Sequence, residues 1–318
     1  MKYIDCHGHL NFAVFEHDLD GVIERMKERE VGVINVGTQR DTSKRAVELA
    51  EKNENMWAIV GIHPIHTDKS FHDEKELGKV GEKIHLISNS SNSPNKKSRG
   101  EGGESNSSNK VLNSENNQTK GKDAGEGFVS RGEMFDFDYY KELAGHKKVV
   151  GIGECGLDYY RTEPESEKKQ REVFLAQIAL ANEVNKPLML HVRSGEGRSA
   201  YRDALEILKR EAKVGGNFHF LAGDVEEARE ILDAGFNMSF TGVITFAKQY
   251  EELVKFVPLE RMLSETDCPY VTPAPYRGKR NEPSFVTEVI SKIAEIKGLN
   301  MEEVRNRIMQ NARMFFGL

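Results

Sequence analysis

Eight short apolar runs recur along this chain, separated by stretches whose apolar residues return every three or four positions. Few folds accept that alternation. The runs are Tyr3 to His7, Val31 to Val36, Trp57 to Ile62, Val149 to Gly153, Pro187 to His191, Asn217 to Leu221, Phe236 to Phe240 and Met262 to Thr266. Stripes such as Leu19, Val22, Ile23, Met26 and Val286, Val289, Ile290, Ile293 read as helices buried along one face. Eight strand–helix units in succession predict an α/β protein with a closed parallel sheet, a (β/α)8 TIM barrel.

The pattern breaks once. From Ser88 to Gly127 the chain holds nine Ser, eight Asn, six Gly and eleven charged residues, with Val111, Leu112 and Ala124 as its only aliphatic ones. Such a segment buries too little apolar surface to offset its ordering entropy, so a disordered insertion after the third unit is predicted. Helices from about Glu74 to Ile84 and from Phe135 to Ala144 should flank it, and its ends should emerge on the barrel's periphery. Residues 1–318 then form one domain, interrupted at about 88–127.

Composition narrows the partners. The chain has 45 basic and 51 acidic residues, a formal charge of −6, so no general basic field holds a polyanion, and any nucleic-acid contact must be local. The first twenty residues carry four acidic groups, and no apolar stretch approaches the ~18 residues of a membrane span. A soluble cytoplasmic protein is the expectation. Cys6, Cys155 and Cys268 match no zinc knuckle or disulfide framework and read as reduced core fillers turned toward the barrel–helix layer.

The ends of the strands carry the chemistry. The first ends Asp5-Cys-His7-Gly8-His9, where alternation puts both imidazoles on one face and Gly8 leaves room for a metal. Others end in Glu154 and Asp158, His191 and Arg193, His219, and Glu265 and Asp267. In a barrel these converge on the C-terminal rim whatever their sequence separation. Four histidines with carboxylates exceed the needs of one tetrahedral ion and suit two ions sharing a carboxylate. A solvated rim is the competing view.

Together, Asp5-x-His7-x-His9-Leu10, Gly61-Ile-His63-Pro64, Gly153-Glu154-Cys-Gly-Leu-Asp158-Tyr159-Tyr160, His191-x-Arg193, His219-Phe, Glu265-Thr-Asp267-Cys-Pro-Tyr and Arg277-Gly-Lys-Arg-Asn281-Glu282-Pro283 resemble the TatD family of metal-dependent deoxyribonucleases. The resemblance runs in order through almost the whole chain, the insertion excepted. It implies an amidohydrolase-type hydrolase with two divalent ions (Mg, Mn or Zn) ligated by His7, His9, Glu154, His191, His219 and Asp267. It also implies DNA as substrate, cut by a metal-activated water, from a 3′ end.

On that footing Glu154 would bridge, and Asp267 could take the proton from the water. Glu265 would orient a ligand from behind. His63 either contacts substrate phosphate or hydrogen-bonds behind the ligands. Arg193 suits phosphate, with a salt bridge to Glu265 or Asp158 as the alternative. Arg277, with Lys279 and Arg280, forms a compact basic cluster expected near the rim as a further substrate contact, with a solvated loop as the alternative. Tyr159 and Tyr160 are candidates for base stacking. An esterase, lactonase or amidase using the same ions, or a non-catalytic scaffold, are the other readings. No stable protein partner is legible.

Overall fold

The computed structural model describes residues 1–68, 71–77, 127–129, 132–160 and 162–318, with the backbone alone for 71–74, 77 and 127–129. The apolar runs form the strands β1 (Tyr3–Gly8), β2 (Val31–Val36) and β3 (Met56–Val60), then β6 (Val149–Asp158), β7 (Leu188–Arg193), β8 (Gly216–Phe218), β9 (Asn237–Phe240) and β10 (Met262–Ser264). Neighbours in the order β1-β2-β3-β6-β7-β8-β9-β10 pair in parallel. The predicted (β/α)8 barrel is therefore the fold.

The described α-helices are α1 (Leu19–Glu28), α2 (Arg40–Lys52), α3 (Glu74–Leu77), α4 (Phe137–Ala144), α5 (Pro164–Val184), α6 (Ala200–Glu211), α7 (Val225–Asp233), α8 (Glu251–Phe256), α9 (Val286–Lys297) and α10 (Met301–Phe316). Local chemistry sets their ends. Asp224 and Glu227 form a reciprocal capping box on α7, and Asn300 accepts from the Glu302 and Glu303 N–H groups to start α10. None of the described helices is long and apolar enough to cross a membrane.

Strand alternation divides the core. Val33, Val60, Ile152, Leu190 and Phe218 face outward against helices, whereas Ile4, Ile34, Ile59, Met189 and Leu263 fill the barrel. Met309, Ala312 and Phe316 of α10, a helix outside the eight units anticipated, join the interior set. Cys155 and Cys268 lie in the outer layer as expected, but Cys6 packs inside the barrel with Ile4. A register irregularity in β1 between Asp5 and Gly8 breaks strict alternation there, which is why Cys6 and His7 do not take opposite layers.

Among the described residues no ladder joins β1 to β10; the seam closes just beyond β10 instead. The Asp267 N–H donates to the His7 carbonyl (2.8 Å) and the His9 N–H to the Cys268 carbonyl (3.0 Å). Buried Asp5 accepts from the Thr266 N–H (2.8 Å), the Thr266 hydroxyl (2.5 Å) and the His7 N–H (3.2 Å).

The insertion differs from expectation at its root. β4 (Phe71–Asp73) pairs antiparallel with β5 (Gly127–Val129), so Gly127 opens a strand, and α3 follows β4 directly. Residues 88–126 and most of the helix expected to Ile84 lie outside the described residues. A segment that follows a barrel strand leaves from the C-terminal face, not the periphery. Glu76 of α3 accordingly lines the cavity on that face.

Candidate metal centre

At the C-terminal ends of β1, β6, β7, β8 and β10 the side chains converge around Glu154, which is buried. Its two oxygens face different groups. Oε2 lies 3.3 Å from His7 Nε2 and 3.9 Å from His9 Nε2. Oε1 lies 2.9 Å from His219 Nε2 and 3.0 Å from His191 Nδ1. Asp267 Oδ1 completes the first group, 3.4 Å from His9 Nε2 and 3.9 Å from His7 Nε2.

Hydrogen bonds behind the rings fix which nitrogen looks inward. His9 Nδ1–H donates to the Val36 carbonyl (2.8 Å), leaving Nε2 as a lone pair toward His7 Nε2 at 3.1 Å. His191 Nε2–H donates to Asp158 Oδ2 (3.0 Å), so its Nδ1 lone pair meets Glu154 Oε1 and, at 3.2 Å, His219 Nε2. A lone pair set against a carboxylate oxygen is repulsive unless a proton or cation lies between them. His7, His9 and Asp267 place one ligand atom each within 4.8 Å of one another, and so do His63, Glu154 and His191. The donor set of imidazole and carboxylate suits a divalent transition metal or Mg.

The electrostatics agree. Burial pushes the Glu154 carboxyl up, but His219, His63 and His7 outweigh it and hold the group well below the usual carboxylate range. Burial pulls His219 down, yet Glu154 and Glu265 raise it well above an ordinary histidine. Burial likewise opposes, and Asp158 and Glu154 reverse, the shift of His191, which is raised. The potential that holds protons on these rings also attracts a cation.

His63 sits differently. The Ile65 N–H donates to its Nδ1 (3.2 Å), so Nε2 carries the proton and points at Glu154 Oε1, 3.4 Å away. It offers a donor to the cavity. Glu265 is fully buried; it accepts from the Phe220 N–H (2.6 Å) and the Ser239 hydroxyl (2.6 Å) and faces His219 Nδ1 at 3.4 Å. Gly8 does not make room at the centre. A Cβ there would meet Cys268 Sγ at 3.0 Å and Val33 Cγ2 at 3.2 Å, so the glycine serves the packing behind the strand.

A cavity of about 610 Å³ opens above the cluster, with Arg193, Tyr160 and Phe220 on its walls. Arg193 makes no ion pair among the described residues and stacks its guanidinium 3.7 Å over the Tyr160 ring. Tyr159 is not available for stacking: it is buried, and its hydroxyl donates to Asp203 (2.7 Å). The basic cluster divides. Arg277 lies off the cavity wall, bonded to the Thr272 carbonyl (3.0 Å) and stacked on Phe246, while Arg280 pairs with Asp18 (2.6 Å). His66, which is not among the candidates singled out from the sequence, is buried, lines the cavity and meets Glu76 at 3.1 Å. Its spacing in His63-Pro-Ile-His66, three residues past a rim histidine, is the signal that could have found it.

A (β/α)8 barrel with histidines and carboxylates gathered at its C-terminal face defines the class of metal-dependent hydrolases. The chain belongs to the TatD-related DNase family, whose model matches residues 4–317. YabD of Bacillus subtilis, an uncharacterized metal-dependent hydrolase, is 36% identical over 317 residues and matches 98% of each chain. YcfH of Escherichia coli, described in the same terms, is 41% identical over 193 residues, 59% of this chain and 70% of its own. The crystal structure of YJJV, a TatD homolog from Escherichia coli, superposes with a TM-score of 0.72 at 19% identity, covering 100% of this chain and 98% of that one.

Proposed function

We propose that this protein is a two-metal deoxyribonuclease that shortens single-stranded DNA from a 3′ end. The observation that carries the reading is the division of Glu154, one oxygen toward His7 and His9 and the other toward His191 and His219. One ion would be held by His7, His9 and Asp267, the other by His191 and His219, with Glu154 common to both. When bound, such ions neutralise charge on a phosphodiester and lower the pKa of water.

The protein's own groups do the rest. Asp267, at the cavity, accepts the proton of the attacking water, and His63 Nε2–H and Arg193 donate to phosphate oxygens. A cavity of about 610 Å³ is large enough for a terminal nucleotide. Asp158 is a positioning residue that fixes the ring of His191. Asp158→Ala should weaken metal binding by roughly 10–100-fold, measured by chelator competition. An unchanged affinity would remove Asp158 from the site.

The test of the whole reading is turnover of the metal-supplemented protein on single-stranded DNA, RNA, a small phosphodiester and an acyl ester. DNA should be shortened, and Arg193→Ala should cost on the order of 1.5–3 kcal/mol in kcat/KM on it. Intact DNA beside an acyl ester cleaved at a rate insensitive to Arg193 would overturn the nuclease.

A further inference from the structure

We infer that a second cavity, between α1 and the segment after β10, is an anion site that takes backbone phosphates of a single-stranded polynucleotide outside the metal-centred cavity. The proposal rests on the nuclease reading only in the choice of polyanion. The cavity measures about 460 Å³ and is lined by Arg25, Arg29, Lys279 and Arg280, with Glu282 as its one carboxylate. In a chain of net charge −6, this places four cations around one opening.

Two of these cations are fixed and two retain donors. Arg25 grips Glu282 through two guanidinium nitrogens (3.0 and 2.7 Å), which neutralises the carboxylate, and Arg280 is held by Asp18 (2.6 Å) and the Val14 carbonyl (2.8 Å). Arg29 reaches its partners only at length: the Tyr276 hydroxyl at 3.3 Å, the Ser284 carbonyl and Thr287 hydroxyl at 3.4 Å, and Glu288 at 4.0 Å. Lys279 makes no ion pair among the described residues; its Nζ lies 5.7 Å from the Tyr276 ring. Tyr276 is stacked on Phe285 (4.1 Å, 8°), giving the wall a rigid aromatic face. Fixed cations beside under-used ones make a preorganised receptor for a phosphate.

The metal-centred cavity explains the need. Among the described residues on its wall Arg193 is the one lysine or arginine, against the carboxylates Glu76, Glu154, Asp158 and Asp267. A strand held by charge must find its remaining cations elsewhere. The chain connects the two places: Tyr270 and Val271 line the first cavity, and Tyr276, Lys279, Arg280 and Glu282 line the second. Asn281 stiffens the intervening loop, donating to the Thr266 carbonyl (2.8 Å) and the Tyr270 carbonyl (2.5 Å).

The experiment measures binding of a fluorescein-labelled single-stranded 20-mer to full-length protein in EDTA, across a salt series. Hydrolysis of bis(p-nitrophenyl) phosphate by the metal-loaded protein is followed in parallel. The Arg29→Ala/Lys279→Ala double variant should weaken DNA binding roughly tenfold and lower the salt slope by about 1.4, with small-phosphodiester hydrolysis unchanged. Lys279→Glu, at an exposed position, should weaken binding in the same direction even where the double variant fails to fold. Unchanged affinity and slope, or an equal loss on the small substrate, would overturn the site. Binding that depends on Lys279 in a protein that leaves DNA uncut would sink the nuclease reading and retain the anion site.

Discussion

Glu154→Gln should reduce hydrolysis on the order of 10³-fold and lower metal content at both proposed positions together. The substitution preserves volume but replaces one anionic oxygen with an amide nitrogen. Glu154 has oxygens within 3.3 Å of His7, His191 and His219. An NH2 must therefore face one of the two imidazole groups whichever way the amide turns. The negative charge that raises His219 and His191 is lost at the same time. Elemental analysis and turnover on the same preparation decide the matter. Full metal content with an unaltered rate would remove Glu154 from any shared role.

Asp5→Ala should destabilise the fold by about 3–5 kcal/mol, read as a shift in urea midpoint for the chelator-treated protein. Asp5 is fully buried and accepts three hydrogen bonds, two of them from Thr266 across the seam. Truncation strands the Thr266 N–H and hydroxyl without their acceptor and leaves a void beside Gly8. Asp5→Asn keeps one acceptor and should lose less. A loss under about 1 kcal/mol for the alanine variant would mean that the two backbone bonds of the seam suffice alone.

Periodicity made the barrel legible, because alternating and 3.6-residue patterns survive in a single sequence. The rim residues were legible for a related reason: a barrel gathers whatever ends its strands, so His7, His9, Glu154, His191, His219 and Asp267 could be placed together without knowing a distance. What lay beyond that rule was not. His66 and Glu76 reach the cavity from the segment after β3, where no strand period predicts direction. Arg277, Lys279 and Arg280 are neighbours in sequence but part company in a loop, where adjacency says nothing about which way a side chain turns. Tyr159 and Tyr160 part in the same way, one buried and one on the cavity wall. Cys6 was misplaced because a register irregularity is invisible to a period-two count.

The seam also gives the metal centre a place in the history of each molecule. Thr266 and Asp5 are 261 positions apart, and Asp267 must arrive beside His7 and His9 before the first proposed group of ligands is complete. A chain still emerging from the ribosome, or one cut before β10, has two of those ligands and no third. Contacts of such separation carry a large loop-closure entropy cost. On the proposed ligand assignment, a cation that prefers the completed centre would stabilise the closed ring by RT ln(1 + [L]/Kd), so that the ion would serve as a latch of the barrel.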